Sequence, residues 1–505
     1  MVQKISAKGM PSFFVRHQAI ILGVVVIALY VFLGWQHIHD PFIHVSEDTN
    51  GSNGMAAYNW YRFGIKDLKG GLVVHWLPEQ DFLNGKIVYY ADHPSGFLLP
   101  TYFAYKLFGI HEWTTRVGPL SLVVLGLILF YGALLKIFQD PAKAFLSILG
   151  FVLLPGSVYY GKHLDMQSPA LGWALITFSL FIFYYYRQNR THLAAFLISA
   201  IIGCFVAWHY YFILLGIWLV VLFGKFGKTI IHRKAILIGL PIIVTTGFLV
   251  NLLHIYTLGG WEALQTLRGS FFNRSGGIFI FASKWYKDVW SRFDLNVTWY
   301  WMLAACAGGI VFIRNQVRAI EKELLAPIWI MPVGVILVFQ SWSTHPFGPI
   351  YFLPIIGVFI GILCFSLLRR FRVYGAVLTI IIIVVGGMLS IQKLNFFYQD
   401  FLILSQVDIN LLTQRIAPSI KDKELCVGQN DFGLYYGGII GWYIHHQPLF
   451  SPQCFEENGD ALGFGLLFRG PREFYQQEAQ RFLGTGFKLD PNDCAGLWCL
   501  VTRSR

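Results

Sequence analysis

Long apolar runs separated by short polar connections dominate the chain up to about residue 391. A helix rises about 1.5 Å per residue, so about 20 apolar residues cross the hydrocarbon core of a bilayer. On that measure the chain reads as spans near 18–36, 117–135, 144–160, 169–186, 193–207, 210–224, 235–256, 297–313, 324–343, 349–368 and 373–391. That makes eleven, and none of these stretches contains Asp, Glu, Lys or Arg. The run 193–224 is too long for one span and short for two, so it is read as two short helices joined at Trp208-His209-Tyr210, a turn expected below the membrane surface and facing a cavity. Beyond 391 the pattern changes: 392–505 is more polar, is punctuated by Gly and Pro, and reads as a small α/β domain.

Charge sets the direction of the spans. Lys4, Lys8 and Arg16 precede the first one. Alternate connections then place Lys136 and Lys143, Arg187 and Arg190, Lys225 to Lys234, Arg314 to Lys322, and Arg369 to Arg372 on the same side. Basic loops stay in the cytoplasm, so the N-terminus is expected there, in a protein of the cytoplasmic (inner) membrane. The loops 37–116 and 257–296 and the tail 392–505 are then extracytoplasmic. The first apolar segment lacks a small-residue cleavage site and is expected to remain as an anchor.

Composition agrees. Of 505 residues, 55% are hydrophobic and 13% charged, about half the share of a soluble domain. The mean hydropathy is +0.55. The net charge of +12 comes mostly from the short basic clusters. No zinc-ligand spacing, RNA-binding aromatic pattern or long basic helix accompanies it, so nucleic acid is not an expected partner. The tail holds Cys426, Cys454, Cys494 and Cys499, open either to disulfides or to buried thiols.

With charge kept out of the spans, chemistry concentrates where loops meet the bundle. The first loop opens with Glu47-Asp48, followed by Asn50-Gly51 and a stretch of helical period from Met55 to Gly64. Acids at a membrane edge are partly desolvated, which suits a general base. The alternative is a solvated turn with an acid capping the next helix. Asp48 lies nearer the Asn50-Gly51 turn, whose Gly would let the chain fold back and aim the acid inward. Asp92-His93-Pro94 reads as a capped helix start, and Lys162-His163-Leu164-Asp165 sits between the third and fourth spans. Lys162 is open to two readings, a site cation or a contact to lipid headgroups.

In order, these residues resemble the membrane glycosyltransferases of the C-type (GT-C) fold, the group that includes protein O-mannosyltransferases and lipid A aminoarabinose transferases. The resemblance rests on Glu47-Asp48, Ala57-Tyr-Asn59 through Gly64, Asp92-His93-Pro94-Ser95, Leu107-Phe-Gly109, Glu112-Trp113 to Arg116, and Leu164-Asp165-Met166. A later segment, His345 through Tyr351 to Pro354, is also similar. Two positions depart: Ser95 replaces a second Pro, and Trp208-His209-Tyr210 stands where a Lys is often found.

The resemblance implies an inverting transfer of a sugar from a polyprenyl-phosphate donor to an acceptor hydroxyl on a glycan, lipid or protein. Asp48 is the first choice for the base and Glu47 the alternate, with Asp92 and Asp165 orienting the base or binding sugar hydroxyls. Lys162, His163 and His345, and then Arg268 and Arg274, are candidates to meet the departing phosphate. His93, His209 and Tyr351 are further candidates for substrate contact. No metal or cofactor is expected; the lipid-linked sugar is a co-substrate. A transporter or flippase of lipid-linked sugars and a glycan polymerase or ligase are the rival readings. Ion-driven transporters usually keep ionisable residues inside the membrane, and these spans hold none.

Overall fold

The structure, a computed structural model, describes residues 13–42, 44–275, 283–314 and 318–398, and within the tail 425–427, 442–443, 448–449, 462–466, 487–495 and 498–503. The expected spans coincide largely with helices, though not one for one. In chain order the helices are α1 (Phe13–Trp35), α2 (Asp48–Phe63), α3 (Glu79–Leu83), α4 (Leu99–Phe108), α5 (Glu112–Phe138), α6 (Pro141–Val152), α7 (Pro155–Tyr160) and α8 (Gln167–Arg187). They continue as α9 (Arg190–Gly203), α10 (Tyr211–Phe223), α11 (Arg233–Ser275), α12 (Ser283–Val297), α13 (Trp299–Ile313), α14 (Ala319–Val338) and α15 (Leu353–Phe397).

Among the described residues five helices are long and apolar enough to cross a membrane, and α12 with α13, bent by 93°, would make a sixth. This is an integral membrane protein. Other expected spans are shorter or differently bounded. The stretch 144–160 is two helices, α6 and α7, because Pro155 cannot continue the first and starts the second. The spans 349–368 and 373–391 form the single run α15, broken only at Arg372 with φ 46°. Helix α11 continues past 256 through a kink at Gly259 and Gly260 into the second loop. At Gly260, φ is +63°, a conformation open to Gly at no steric cost.

Small residues bring the helices together, as expected where lipid offers no hydrophobic drive for association. A Cβ on Gly126 of α5 would lie 2.7 Å from the Gly172 carbonyl oxygen of α8. One on Gly150 of α6 would lie 2.7 Å from the Gly357 oxygen of α15. Ala at either position would push the pair apart.

Hydrogen bonds show which connections share an end of the bundle. Gln188 accepts from the Ile231 amide at 2.8 Å, and Glu323 accepts from Phe226 and Gly227 at 2.8 and 2.9 Å. Lys143 pairs with Glu321 at 2.5 Å, and Arg318 donates to the Ile137 carbonyl at 2.7 Å. The basic connections after α5, α8, α10 and α13 therefore meet at one end. That geometry requires 193–224 to turn back, as α9 and α10 do. Its turn, Trp208–Tyr210, is a single 3-10 turn with His209 fully buried.

In the tail, strands β1 (Leu425–Val427), β2 (Pro448–Leu449), β3 (Leu462–Leu466), β4 (Phe487–Ala495) and β5 (Trp498–Arg503) form one sheet in the order β2-β1-β3-β5-β4. The first pairings are parallel and those of β5 antiparallel. The segments linking the strands, on which an α/β assignment depends, lie outside the described residues, as do the side chains of the four tail cysteines. Trp442 and Tyr443 are buried against the bundle, with the Tyr443 hydroxyl accepting from the Phe42 amide at 2.9 Å.

Candidate active site

The opposite end of the bundle holds Glu47, Asp48, Asp92 and Asp165. Helix α2 begins at Asp48, not at Met55, so Asn50-Gly51 is helical and no turn aims Asp48. The two acids are separated instead by their partners. Arg116, at the start of α5, is fully buried. Its Nη2 and Nε donate to Glu47 Oε1 at 2.6 and 3.1 Å, while Nη1 donates to the Ile38 carbonyl at 2.8 Å and to that of Asp40. Glu47 also accepts from the His44 amide and the Asn50 side chain, both at 3.2 Å. Burial alone would raise the Glu47 carboxyl, but the Arg116 guanidinium beside it holds it below the ordinary value.

Asp48 has no guanidinium partner and is half-buried. Burial, aided by the charge of Glu47, raises its carboxyl to about 6. Helix α2 also fixes the turn between α7 and α8: Asn50 Oδ1 accepts from the Leu164 amide at 2.6 Å, and Asn53 donates to the Leu164 carbonyl at 2.8 Å. That turn delivers Asp165. Its Oδ1 accepts from the Gln167 and Ser168 amides at 2.9 and 3.0 Å, capping α8. Burial is the main reason its carboxyl rises to about 7, and the nearby charge of Asp48 adds to it. Asp165 is also within electrostatic reach of the Tyr351 hydroxyl, which is buried and has no hydrogen-bond partner among the described residues.

A second group faces this one. Asp92 accepts from Arg274 Nη1 and Nη2 at 3.1 and 2.5 Å and from the Tyr90 hydroxyl at 2.9 Å. His93 and His209 are buried within reach of Arg274. The His209 ring stacks on Tyr351 with centroids 5.4 Å apart, which joins the two groups. His345 lies near both Arg274 and Arg292; desolvation and these two charges keep its imidazole below the ordinary value. Arg292 of α12 donates from Nε to the Thr344 carbonyl at 2.8 Å. Its charge also reaches Tyr160, which borders Asp48 and Asp165.

This bundle, with its acids and guanidinium groups at one end, has solved counterparts. No protein-family model matches the chain, and no curated protein matches it by sequence. The crystal structure of ArnT from Cupriavidus metallidurans in the apo state superposes with a TM-score of 0.60 at 11% identity, over 96% of this chain and 98% of that one. The same protein bound to undecaprenyl phosphate superposes equally well, 0.60 at 12% identity, over 95% and 97%. The chain has the GT-C fold.

Within the GT-C fold, the structure brings together Asp48, Asp165, Asp92, His93, His209, Arg274, His345 and Tyr351. It sets others apart. Arg268 is exposed, with its guanidinium 5.6 Å from the Phe272 ring centroid, and does not join the cluster. Lys162 is buried, so it makes no headgroup contact; its ammonium donates to the Gln36 carbonyl and lies 4.8 Å from the Tyr398 ring centroid. Burial, and next the Arg116 charge, lower it to about 7. His163, lowered to about 3 chiefly by burial, packs on Tyr159 with centroids 4.5 Å apart. Asp92-His93-Pro94 does not cap a helix: α4 starts at Leu99 after a 3-10 turn, and Asp92 is committed to Arg274.

Two residues of this site are not evident from the chain alone. Arg116 is paired with an acid 69 positions away, and only its place in the Glu112-to-Arg116 motif marked it. Arg292 lies in the charged segment Ser283–Val297, which by composition resembles any solvated helix. Among the described residues, the only group with metal-ligand spacing is His37, Asp40 and His44.

Proposed function

We propose that the chain is an inverting glycosyltransferase that moves a sugar from a polyprenyl-phosphate donor to an acceptor hydroxyl on the extracytoplasmic face of the membrane. The feature that supports this reading is Asp48, a carboxylate that burial raises to about 6, at the same end of a GT-C bundle as Arg292, whose charge reaches Tyr160 beside it, and Arg274. Such a group is ionised at neutral pH yet basic enough to take a proton. The acceptor oxygen attacks the anomeric carbon, its proton passes to Asp48, and the bond to the phosphate oxygen breaks with its electrons. The phosphate gains negative charge, which Arg292, Arg274 and His345 would stabilise. Asp165 and Asp92 orient sugar hydroxyls, with Tyr351 and His209 beside them. Lys162 and His163 support the loop rather than meet phosphate.

A polyprenyl phosphate is the lipid found on the solved ArnT, and the apolar bundle of this chain suits a donor with an isoprenoid tail. The purified protein, incubated with a panel of polyprenyl-phosphate sugars and cell-envelope acceptors, should release polyprenyl phosphate and glycosylated product, both identified by mass spectrometry. A lipid-linked sugar that crosses proteoliposome membranes intact, with no product formed, would instead establish the transporter reading.

A further inference from the structure

We propose that His37, Asp40 and His44 form a binding site for a divalent transition-metal ion of the zinc type, at the junction between α1 and the loop carrying Glu47 and Asp48. One ligand atom from each lies within 4.8 Å of the other two. His37 Nδ1 is 2.7 Å and His44 Nε2 3.1 Å from the same oxygen, Asp40 Oδ2. Zinc bonds to nitrogen and oxygen are about 2.0–2.2 Å, which puts neighbouring tetrahedral ligands roughly 3.4 Å apart. The two His–Asp separations are therefore within about an ångström of those a bound ion would set. Two imidazoles and a carboxylate favour zinc, copper or nickel over magnesium or calcium. Three protein ligands leave a fourth position for water.

The surroundings hold the ligands in place. His37 stacks on Tyr398, at the end of α15, with centroids 4.0 Å apart, and His44 meets the edge of the same ring at 5.5 Å. The Tyr398 hydroxyl is buried without a hydrogen-bond partner among the described residues and lies within electrostatic reach of Asp40. The group is also tied to the acids: the Asp40 carbonyl accepts from Arg116, and the His44 amide donates to Glu47 at 3.2 Å. A bound ion would clamp α1, the first loop and the end of α15 together, and so steady the segment that presents Asp48. The alternative is a His–Asp–His hydrogen-bonded group that binds no ion. The site stands or falls on metal content, whatever the protein transfers.

The test uses full-length protein without a polyhistidine tag, stripped with a chelator in detergent, dialysed against Zn2+ and analysed for metal. About one zinc per chain is expected to remain, in the presence of excess Mg2+, with a rise in melting temperature. His37→Ala and His44→Ala should fall to background, while His192→Ala, at a remote histidine, should keep its zinc. Parent protein at background, or His37→Ala and His44→Ala holding as much zinc as the parent, would overturn the site. Should these variants fail to extract, Co2+ added to the unaltered chain decides. The strong visible absorption of four-coordinate cobalt supports the site, and the weak spectrum of hydrated cobalt refutes it.

Discussion

Arg116 holds Glu47 through two donors on one carboxylate oxygen, 2.6 and 3.1 Å long, with both side chains withdrawn from solvent. The pair occupies Glu47 in holding the loop to α5, which leaves Asp48 for the base role proposed above. Removing one member of a buried pair strands the other, at a cost of about 3–5 kcal/mol. Arg116→Ala should therefore lower the melting temperature sharply, and Glu47→Gln less, since the amide can still accept one bond. A melting temperature for Arg116→Ala equal to that of the parent would mean that the clamp is not formed.

The phosphate role proposed for Arg292 can be separated from stability. Its Nε bonds a backbone carbonyl and it forms no ion pair with an acid among the described residues, so Arg292→Gln should melt near the parent temperature. It should nonetheless use a polyprenyl-phosphate donor poorly, by about 10-fold or more, as expected for a lost charge-assisted contact of roughly 1.5–3 kcal/mol. Arg274→Gln should cost activity and also stability, because it releases Asp92. Parent-level turnover by Arg292→Gln would remove it from the site.

Asp165 gives a pH signature. Its folded value of about 7 stands above the ordinary 3.8, so between those values the folded chain binds more protons than the unfolded one. Stability is then lost as pH rises through that window. Asp165→Asn keeps an oxygen to cap α8 and cannot ionise. Its melting temperature relative to the parent should rise between pH 5 and pH 8, as measured by thermal scans in detergent. A difference independent of pH would show that Asp165 ionises normally.

The parity of the short helices is open to labelling. In a cysteine-free background, Lys228→Cys should be shielded from an impermeant thiol reagent in intact cells, whereas Glu79→Cys and Glu262→Cys should react. Labelling of Lys228→Cys from outside would reverse the orientation proposed for the bundle.

Much of this architecture is legible in the chain because lipid imposes it. Apolar runs and basic connections follow from the solvent and the translocation machinery, so the helices and their shared ends could be read directly. Helix limits were less legible. Asn50-Gly51 has the composition of a turn, yet it lies in the first turn of α2, where the Asn50 side chain donates to Glu47 and accepts from the Leu164 amide. Gly259-Gly260 looks like the end of α11 and is only a kink. Asp48, Asp165 and His345 were visible because acids and histidines are rare at span boundaries. Arg116 and Lys162 were harder, since their roles depend on whether a cation is buried, and burial arises from packing between segments far apart in sequence.

Whether Asp48 takes the acceptor proton is read from the rate of polyprenyl-phosphate release by purified Asp48→Asn beside the parent. The substitution keeps shape and removes the base. Losing a general base typically costs about 10²–10⁴-fold in rate, so release should fall by that factor, with donor binding and melting temperature close to those of the parent. Glu47→Gln, where it folds, should be milder. Release at the parent rate by both variants would contradict the account.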